Sequence, residues 1–169
     1  IGVLFIWSAS SEKFLFQQLV WIAMGLTLFF ILLYFDYLSF AHYAYIIYAS
    51  VLFLLILVLG MGVAVKGSQR WFSIGSFSIQ PSEFMKITLV LILARFLRYK
   101  KYGIGLFDIG VSLFLTFIPM ALIVKQPDLG TALVLVPILL SILYTAGIRL
   151  HHLFMIIGAG LAISPLAWM

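Results

Sequence analysis

The sequence predicts an all-α fold, a polytopic bundle of transmembrane helices. Of the 169 residues, 65% are hydrophobic and only 9% are charged, whereas a soluble domain is about a quarter charged. The apolar residues fall in continuous runs, not in the alternation of period two that is typical of membrane strands. This composition excludes a soluble globular domain. The absence of cysteine excludes disulfides and thiolate metal sites.

Six apolar runs are long enough, or nearly long enough, to cross the hydrocarbon core, which takes ~20 residues. In chain order they are 14–35, 43–65, 81–97, 107–124, 129–146 and 153–169. With the apolar stub at 1–7, we expect about seven spans joined by short polar turns. The chain starts at Ile1 and stops inside an apolar run. We therefore expect residues 1–169 to be a single transmembrane domain, the N-terminal part of a longer protein.

Basic residues set the expected orientation of the spans. The turn after the 81–97 span carries a cluster of four: Arg95, Arg98, Lys100 and Lys101. The positive-inside rule places that turn in the cytoplasm. Alternation then makes 34–42 and 147–152 cytoplasmic, and 8–13, 66–80 and 125–128 outer segments. Loop cations of this kind explain the net charge of +5, so nucleic acid is not an expected partner.

Two outer segments look alike. They read Gln80-Pro81-Ser82-Glu83 and Gln126-Pro127-Asp128. We expect each to open a span with proline at the first helical position, and to place a carboxylate in the first turn, where the helix dipole stabilises negative charge. Because one inward and one outward span separate them, both helix starts should return to the same outer face.

The carboxylates of these segments have two interpretations each. Glu83 and Lys86 share a helix face, so they either form a salt bridge that locks the helix or line a polar cavity that positions substrate or moves a proton. The cavity is favoured, because charges at membrane depth are usually functional. Asp128 either caps its helix and pairs with Lys125, or also holds a substrate hydroxyl or a divalent cation. The sequence leaves the choice for Asp128 open.

The outer loop before the third long span has the character of an anion site. Lys66 and Arg70 flank a glycine-containing turn, and Trp71 is an aromatic of the interfacial type. Arginine binds phosphate in a bidentate manner. With Lys86 and Lys125 added, cations on the outer side exceed the two carboxylates. We therefore expect an anionic ligand to approach from the membrane surface.

Several of these motifs, taken together, resemble the SEDS family, the RodA- and FtsW-type proteins of bacterial cell-wall synthesis. The matching stretches are Gly67-Ser68-Gln69-Arg70-Trp71, Gly75 with Gln80-Pro81-Ser82-Glu83 and Lys86, Gln126-Pro127-Asp128-Leu129-Gly130-Thr131-Ala132, and Ser8-Ala9-Ser10. They occur in order over essentially the whole chain. The sequence around Trp71, which continues as Phe72-Ser73-Ile74-Gly75, is more similar to the RodA branch than to the FtsW branch.

The resemblance implies a peptidoglycan glycosyltransferase of about ten spans, of which this chain would hold about seven. Its substrate would be lipid II, a disaccharide unit on undecaprenyl diphosphate, polymerised at the outer face of the bacterial cytoplasmic (inner) membrane during cell elongation. The implied partners are a class B penicillin-binding protein and other wall-elongation membrane proteins. The implied catalytic aspartate lies in a later outer loop, so this chain alone should be inactive.

Residue roles follow from the same motifs. Arg70, Trp71, Glu83, Lys86 and Asp128 would line or support the cavity, and Lys66, Gln80 and Lys125 would join them in binding substrate. The cations would neutralise diphosphate, with a divalent cation, Mg²⁺ or Mn²⁺, as a candidate cofactor. Two other functions compete with polymerisation. One is a lipid II flippase, which needs a cavity that also opens inward, and the other is a scaffold for a penicillin-binding protein.

Overall fold

The computed structural model describes residues 12–34, 36–61, 63–65, 68–74, 77–98, 100 and 103–163. Contacts divide the chain into two compact units, Ile1–Ser39 and Phe40–Met169. The first unit holds α1 (Glu12–Leu33), an unbroken helix of 22 residues. A short helix, α2 (Tyr37–His42), begins at the end of this unit, and its Leu38 N–H donates to the Asp36 Oδ1 at 2.9 Å. The apolar stub predicted at 1–7 lies outside the described residues.

The second unit is built from helices, as the sequence predicts. In chain order these are α3 (Ala44–Met61), α4 (Pro81–Leu97), α5 (Leu106–Lys125), α6 (Leu129–Thr145) and α7 (Leu150–Ile163). By length and composition, two described helices are able to cross a membrane, Leu15–Leu33 within α1 and the whole of α5. The segments Ala44–Gly60, Leu129–Thr145 and Leu150–Gly160 are apolar but shorter.

The loop between α3 and α4 contains a small sheet that the sequence did not lead us to expect. Its strands are β1 (Val63–Val65), β2 (Ser68–Ile74) and β3 (Phe77–Ile79), antiparallel in the order β1-β2-β3. The predicted span 43–65 therefore ends earlier, since its helix stops at Met61 and the next residues described form β1.

Helix α4 packs against α3, α5 and α6, and the core of the second unit lies along it. Fully buried side chains come from all four helices: Leu55, Met85, Leu89, Ile123 and Leu135. Lipid tails are as apolar as leucine, so in a bilayer such contacts stabilise by close packing rather than by removal from water. This packing brings the C-terminal end of α5 and the N-terminal ends of α4 and α6 to one end of the unit.

Candidate functional site

The small sheet places the first residue of the site. Phe72 of β2 pairs with Ile79 of β3, and Gln80 follows immediately as the N-cap of α4, with extended backbone (φ −107°, ψ 110°). Strand β2 also contacts α3 and α4. The Gln80 side chain does not cap its own helix, so its amide is available to reach another element.

Asp128 caps α6 and is buried, with 7% of its surface exposed. Its Oδ1 accepts from the Thr131 backbone N–H at 3.2 Å, and its Oδ2 accepts from the Thr131 hydroxyl at 2.9 Å. An N-cap of this kind satisfies a helix N–H that has no partner within the helix and contributes about 1 kcal/mol. The expected cap is confirmed, but as the N-cap itself and not as a first-turn residue. Pro127 accordingly precedes the N-cap, and its expected place at the first helical position was wrong.

The two look-alike segments meet through a direct hydrogen bond. The Gln80 Nε2 donates to the Asp128 Oδ2 at 2.8 Å, across 48 residues of sequence. This contact confirms that the starts of α4 and α6 converge, as alternation of the spans predicts. Pro81 is the first residue of α4, as expected, and it is buried. The site is therefore anchored on two helix N-termini, whose dipoles favour negative charge nearby.

Beside this pair lie two buried polar groups to which the sequence assigned no role. Gln126, 1% exposed, donates from Nε2 to the Leu55 carbonyl of α3 at 3.1 Å. Its Oε1 and the hydroxyl of Ser82, which is 0% exposed, have no hydrogen-bond partner in the described part of the chain. Both residues belong to the two look-alike segments. In the sequence, only their closeness to a proline and a carboxylate pointed to a role in the site.

Glu83 and Lys86 form an ion pair on α4, the contact required by the first of their two interpretations. The Lys86 Nζ lies 2.8 Å from the Glu83 Oε2, and the side chains of Lys86 and Glu83 are 28% and 55% exposed, respectively. Glu83 occupies the first turn of α4, as expected. The geometry is compatible with both interpretations, because the ion pair is formed and both groups are still accessible to a ligand.

The cations predicted to lie on the outer side are placed only in part. Lys66 lies outside the described residues, and Arg70 is in β2, although its side chain is not described. Trp71 is half-buried in the same strand, opposite Val63 of β1. Lys125 is exposed at the C-terminal end of α5, three residues before Asp128 in the sequence.

Few acidic ligands for a divalent cation come together among the described residues. They contain no group of three or more His, Cys, Asp or Glu side chains that could hold a metal. The buried carboxylate of Asp128 already accepts three hydrogen bonds. A divalent cation, Mg²⁺ or Mn²⁺, would need further oxygen ligands from elsewhere, so no step proposed below passes through a metal.

A second buried carboxylate, which the sequence did not single out, lies at the predicted cytoplasmic end. Asp108, in the first turn of α5, is also 7% exposed. Its Oδ1 lies 2.6 Å from the Lys100 Nζ, and its Oδ2 accepts from the Gly105 N–H at 3.1 Å. Lys100 also lies over the Phe96 ring, 5.1 Å from its centroid. Lys100 belongs to the predicted basic cluster, and an acidic residue three positions after a helix N-cap was the available signal.

Comparison with known proteins bears on the whole chain. A family model described as a cell cycle protein, covering FtsW, RodA and SpoVE, matches residues 1–169. The peptidoglycan glycosyltransferase RodA of Treponema pallidum is 38% identical over 165 residues, which cover 93% of this chain and 38% of the relative. The chain spans about half the length, or less, of the curated relatives it matches.

Solved structures share the fold. The crystal structure of Thermus thermophilus rod shape determining protein RodA matches with a TM-score of 0.83 and 31% identity, over 94% of this chain and 53% of that one. A chain of a peptidoglycan synthase complex that coordinates polymerization and crosslinking also matches. Its TM-score is 0.83 and its identity 31%, over 93% of this chain and 46% of that one.

Proposed function

This chain belongs to the family of FtsW, RodA and SpoVE cell cycle proteins, and from that premise we propose that it is part of a peptidoglycan glycosyltransferase. The activity proposed is polymerisation of lipid II into glycan strands. The observation that carries the proposal is the meeting of Gln80 and Asp128, at 2.8 Å, where two helices start. That contact joins two separate motifs into one polar site. A relative of this chain is named a peptidoglycan glycosyltransferase.

The reaction sets clear physical demands. A sugar hydroxyl attacks an anomeric carbon while the diphosphate group leaves, so the enzyme needs a general base and groups that stabilise the charge of the leaving group. Glu83 is paired with Lys86 and exposed, and the Asp128 carboxylate accepts three hydrogen bonds. We assign neither as the base, and we expect the base to come from the rest of the whole protein.

The chain's own residues have distinct tasks in this proposal. Lys86 and Lys125, with Lys66 and Arg70 of the preceding loop, neutralise the diphosphate. Gln80 and Asp128 hold polar groups of the sugar, because a carboxylate fixed by neighbouring donors keeps one orientation. Trp71 offers an apolar face at the level of the interface.

The test is polymerisation of labelled lipid II by the purified whole protein. Glycan ladders that disappear with Asp128→Ala or Glu83→Ala would support the enzyme and the site together. An inhibitor of other glycosyltransferases, added in parallel, controls for contaminating enzymes. If no ladder forms with any partner or metal ion, polymerisation is excluded, and translocation of lipid II across vesicles becomes the next assay.

A cross-linking partner is part of the proposal. The matched peptidoglycan synthase complex combines polymerization with crosslinking, and a class B penicillin-binding protein would supply the second activity here. We expect such a partner to raise the polymerisation rate of the whole protein when both are reconstituted in one membrane. Co-purification of the two, compared with a penicillin-binding protein of another class, measures the specificity of the pairing.

The cellular role proposed is elongation and the maintenance of cell shape. It is supported by the similarity to two RodA proteins, one of Treponema pallidum and one of Thermus thermophilus. Depletion of the whole protein should then give round cells. Filamentous cells with incomplete septa would assign the protein to division instead.

The location proposed is the bacterial cytoplasmic membrane, with the Gln80–Asp128 end outward. The chain has no cysteine, so single cysteines at positions 125 and 100 act as reporters in a cysteine-free form of the whole protein. A membrane-impermeant maleimide added to intact spheroplasts should label Lys125→Cys and not Lys100→Cys. Labelling of Lys100→Cys alone would invert the proposed orientation.

A further inference from the structure

Gln126 joins two parts of the second unit that the Gln80–Asp128 contact does not join. Its Nε2 donates to the carbonyl of Leu55, near the middle of α3 and 71 residues away in sequence. A helix carbonyl has two lone pairs, so it can accept this bond in addition to its own helical one. The side chain therefore fixes the turn between α5 and α6 against α3.

The same turn carries the buried carboxylate. The N–H groups of Gln126 and Asp128 both donate to the Ile123 carbonyl, at 3.0 and 3.3 Å, so the last turn of α5 and the residues up to Asp128 form one folded segment. A displacement of Gln126 therefore moves Asp128 as well. Gln80 and Thr131 bond to the carboxylate from α4 and α6, and Gln126 holds the turn that carries it against α3.

Stability of the bundle alone does not account for an amide at this position. Gln126 is 1% exposed, and its Oε1 has no partner in the described ranges. A buried acceptor without a donor lowers stability, whereas an apolar side chain of similar volume would not. A methionine would thus fill the space at less cost, and what it would lose is the bond to Leu55.

We propose that Gln126 is a positioning residue, which holds Asp128 in place for the substrate by tying the α5–α6 turn to α3. The inference rests on the proposed glycosyltransferase function for its role in turnover, but not for the contact itself. It predicts that Gln126 acts through Asp128 and has little effect once the carboxylate has been removed.

The chain supplies a matched control. The Tyr48 hydroxyl donates to the Leu115 carbonyl at 2.7 Å. This hydrogen bond also links a side chain to a backbone carbonyl and joins α3 to α5, but neither of its residues is near Asp128 in the sequence. Gln126→Met and Tyr48→Phe each remove one such bond. A purely structural role predicts similar behaviour of the two variants at equal amounts of folded protein.

The experiment measures lipid II polymerisation by the whole protein, with its partner, for four forms: Gln126→Met, Tyr48→Phe, Asp128→Asn and the combination of Gln126→Met with Asp128→Asn. A misplaced group in an active site costs up to about 100-fold, so Gln126→Met should lower kcat by roughly 10- to 100-fold while Tyr48→Phe stays near the parent. The double variant should be no slower than Asp128→Asn. A further loss in the double variant, or equal losses in Gln126→Met and Tyr48→Phe, would overturn the proposal.

Hydrogen exchange separates this inference from the function on which it rests. Amides of residues 128–132 should exchange faster in Gln126→Met than in Tyr48→Phe, whether or not the protein polymerises lipid II. If exchange is faster in Gln126→Met but the parent protein is inactive, the structural role of the Gln126 contact stands and the proposed enzyme is rejected. If exchange in Gln126→Met is unchanged, the positioning role is rejected. If Gln126→Met does not fold, Gln126→Leu is the second variant, because it also removes the amide donor and adds no buried charge.

Discussion

Two aspartates at opposite predicted ends of the second unit are buried equally, with 7% of each exposed, yet they are held in different ways. Asp108 closes a local loop, since its partners Lys100 and Gly105 precede it by only a few residues. Asp128 caps its own helix but also accepts from Gln80, 48 residues earlier. The first carboxylate fastens the start of one helix, whereas the second joins the starts of two.

The difference indicates what each carboxylate is for. The Asp108 oxygens face a lysine ammonium and a backbone N–H, and the side chain is 11% exposed, so little of it is left for a ligand. Only the carboxylate of this pair is buried, since the Lys100 side chain is 34% exposed, and removing the lysine leaves a largely buried charge without its partner. Asp128 lies where two helix N-termini converge, and its partner Gln80 is the N-cap residue of the helix that carries the accessible Glu83–Lys86 pair. Activity should therefore depend on Asp128 and stability on Asp108.

Replacement of the two carboxylates by amides tests this division most strongly. Asp128→Asn keeps the shape of the side chain and one acceptor but removes the charge, and we expect polymerisation of lipid II to fall by about 100-fold, as for the loss of a group that works directly on a substrate. Asp108→Asn should retain activity per folded molecule. Glycan ladders from equal amounts of folded whole protein measure both variants. Equal activities of the two would remove the proposed contrast.

The contrast was only half visible in the sequence. Alternation of spans was enough to bring Gln80 and Asp128 to one face, because the direction of successive helices depends only on their number. The bond from Gln126 to Leu55 could not be predicted, since it depends on how α3 and α5 pack side by side. The helices followed from apolar runs, but β1 to β3 did not, because strands of three to seven residues that pair within one loop leave little periodicity to detect.

The Lys100–Asp108 pair gives the next largest effect, and it should be one on stability. Lys100→Met leaves a largely buried carboxylate without its cation, which we expect to lower the free energy of unfolding by about 1–3 kcal/mol. Adding Asp108→Asn should restore much of this loss, since no buried charge then remains unpaired. Thermal unfolding in detergent, followed by tryptophan fluorescence, measures Lys100→Met and the double variant against the parent. If Lys100→Met is as stable as the parent, the loop is held by other contacts.

A charge swap at Glu83 and Lys86 tests whether the Gln80–Asp128 end also contains a purely structural ion pair. With side chains 55% and 28% exposed, the pair should contribute less than about 1 kcal/mol, so Glu83→Lys combined with Lys86→Glu should unfold at nearly the parent temperature. If the pair binds substrate, the swap lowers polymerisation by roughly tenfold, which corresponds to about 1.4 kcal/mol. Full activity of a stable swapped protein would leave helix packing as the role of the pair.

Substitution of Ser82 should give the smallest effect, and the sign of the change in stability distinguishes two possible environments of its hydroxyl. Its hydroxyl is fully buried, and no partner for it lies within the described ranges. If the hydroxyl has no partner in the whole protein either, Ser82→Ala removes an unpaired polar group and should stabilise the fold by up to about 1 kcal/mol. If a buried water or substrate bonds to it, the same change should destabilise the protein or raise the KM for lipid II. Unfolding and KM, measured on this one variant, therefore decide whether the polar site around Asp128 extends inward to the second residue of α4.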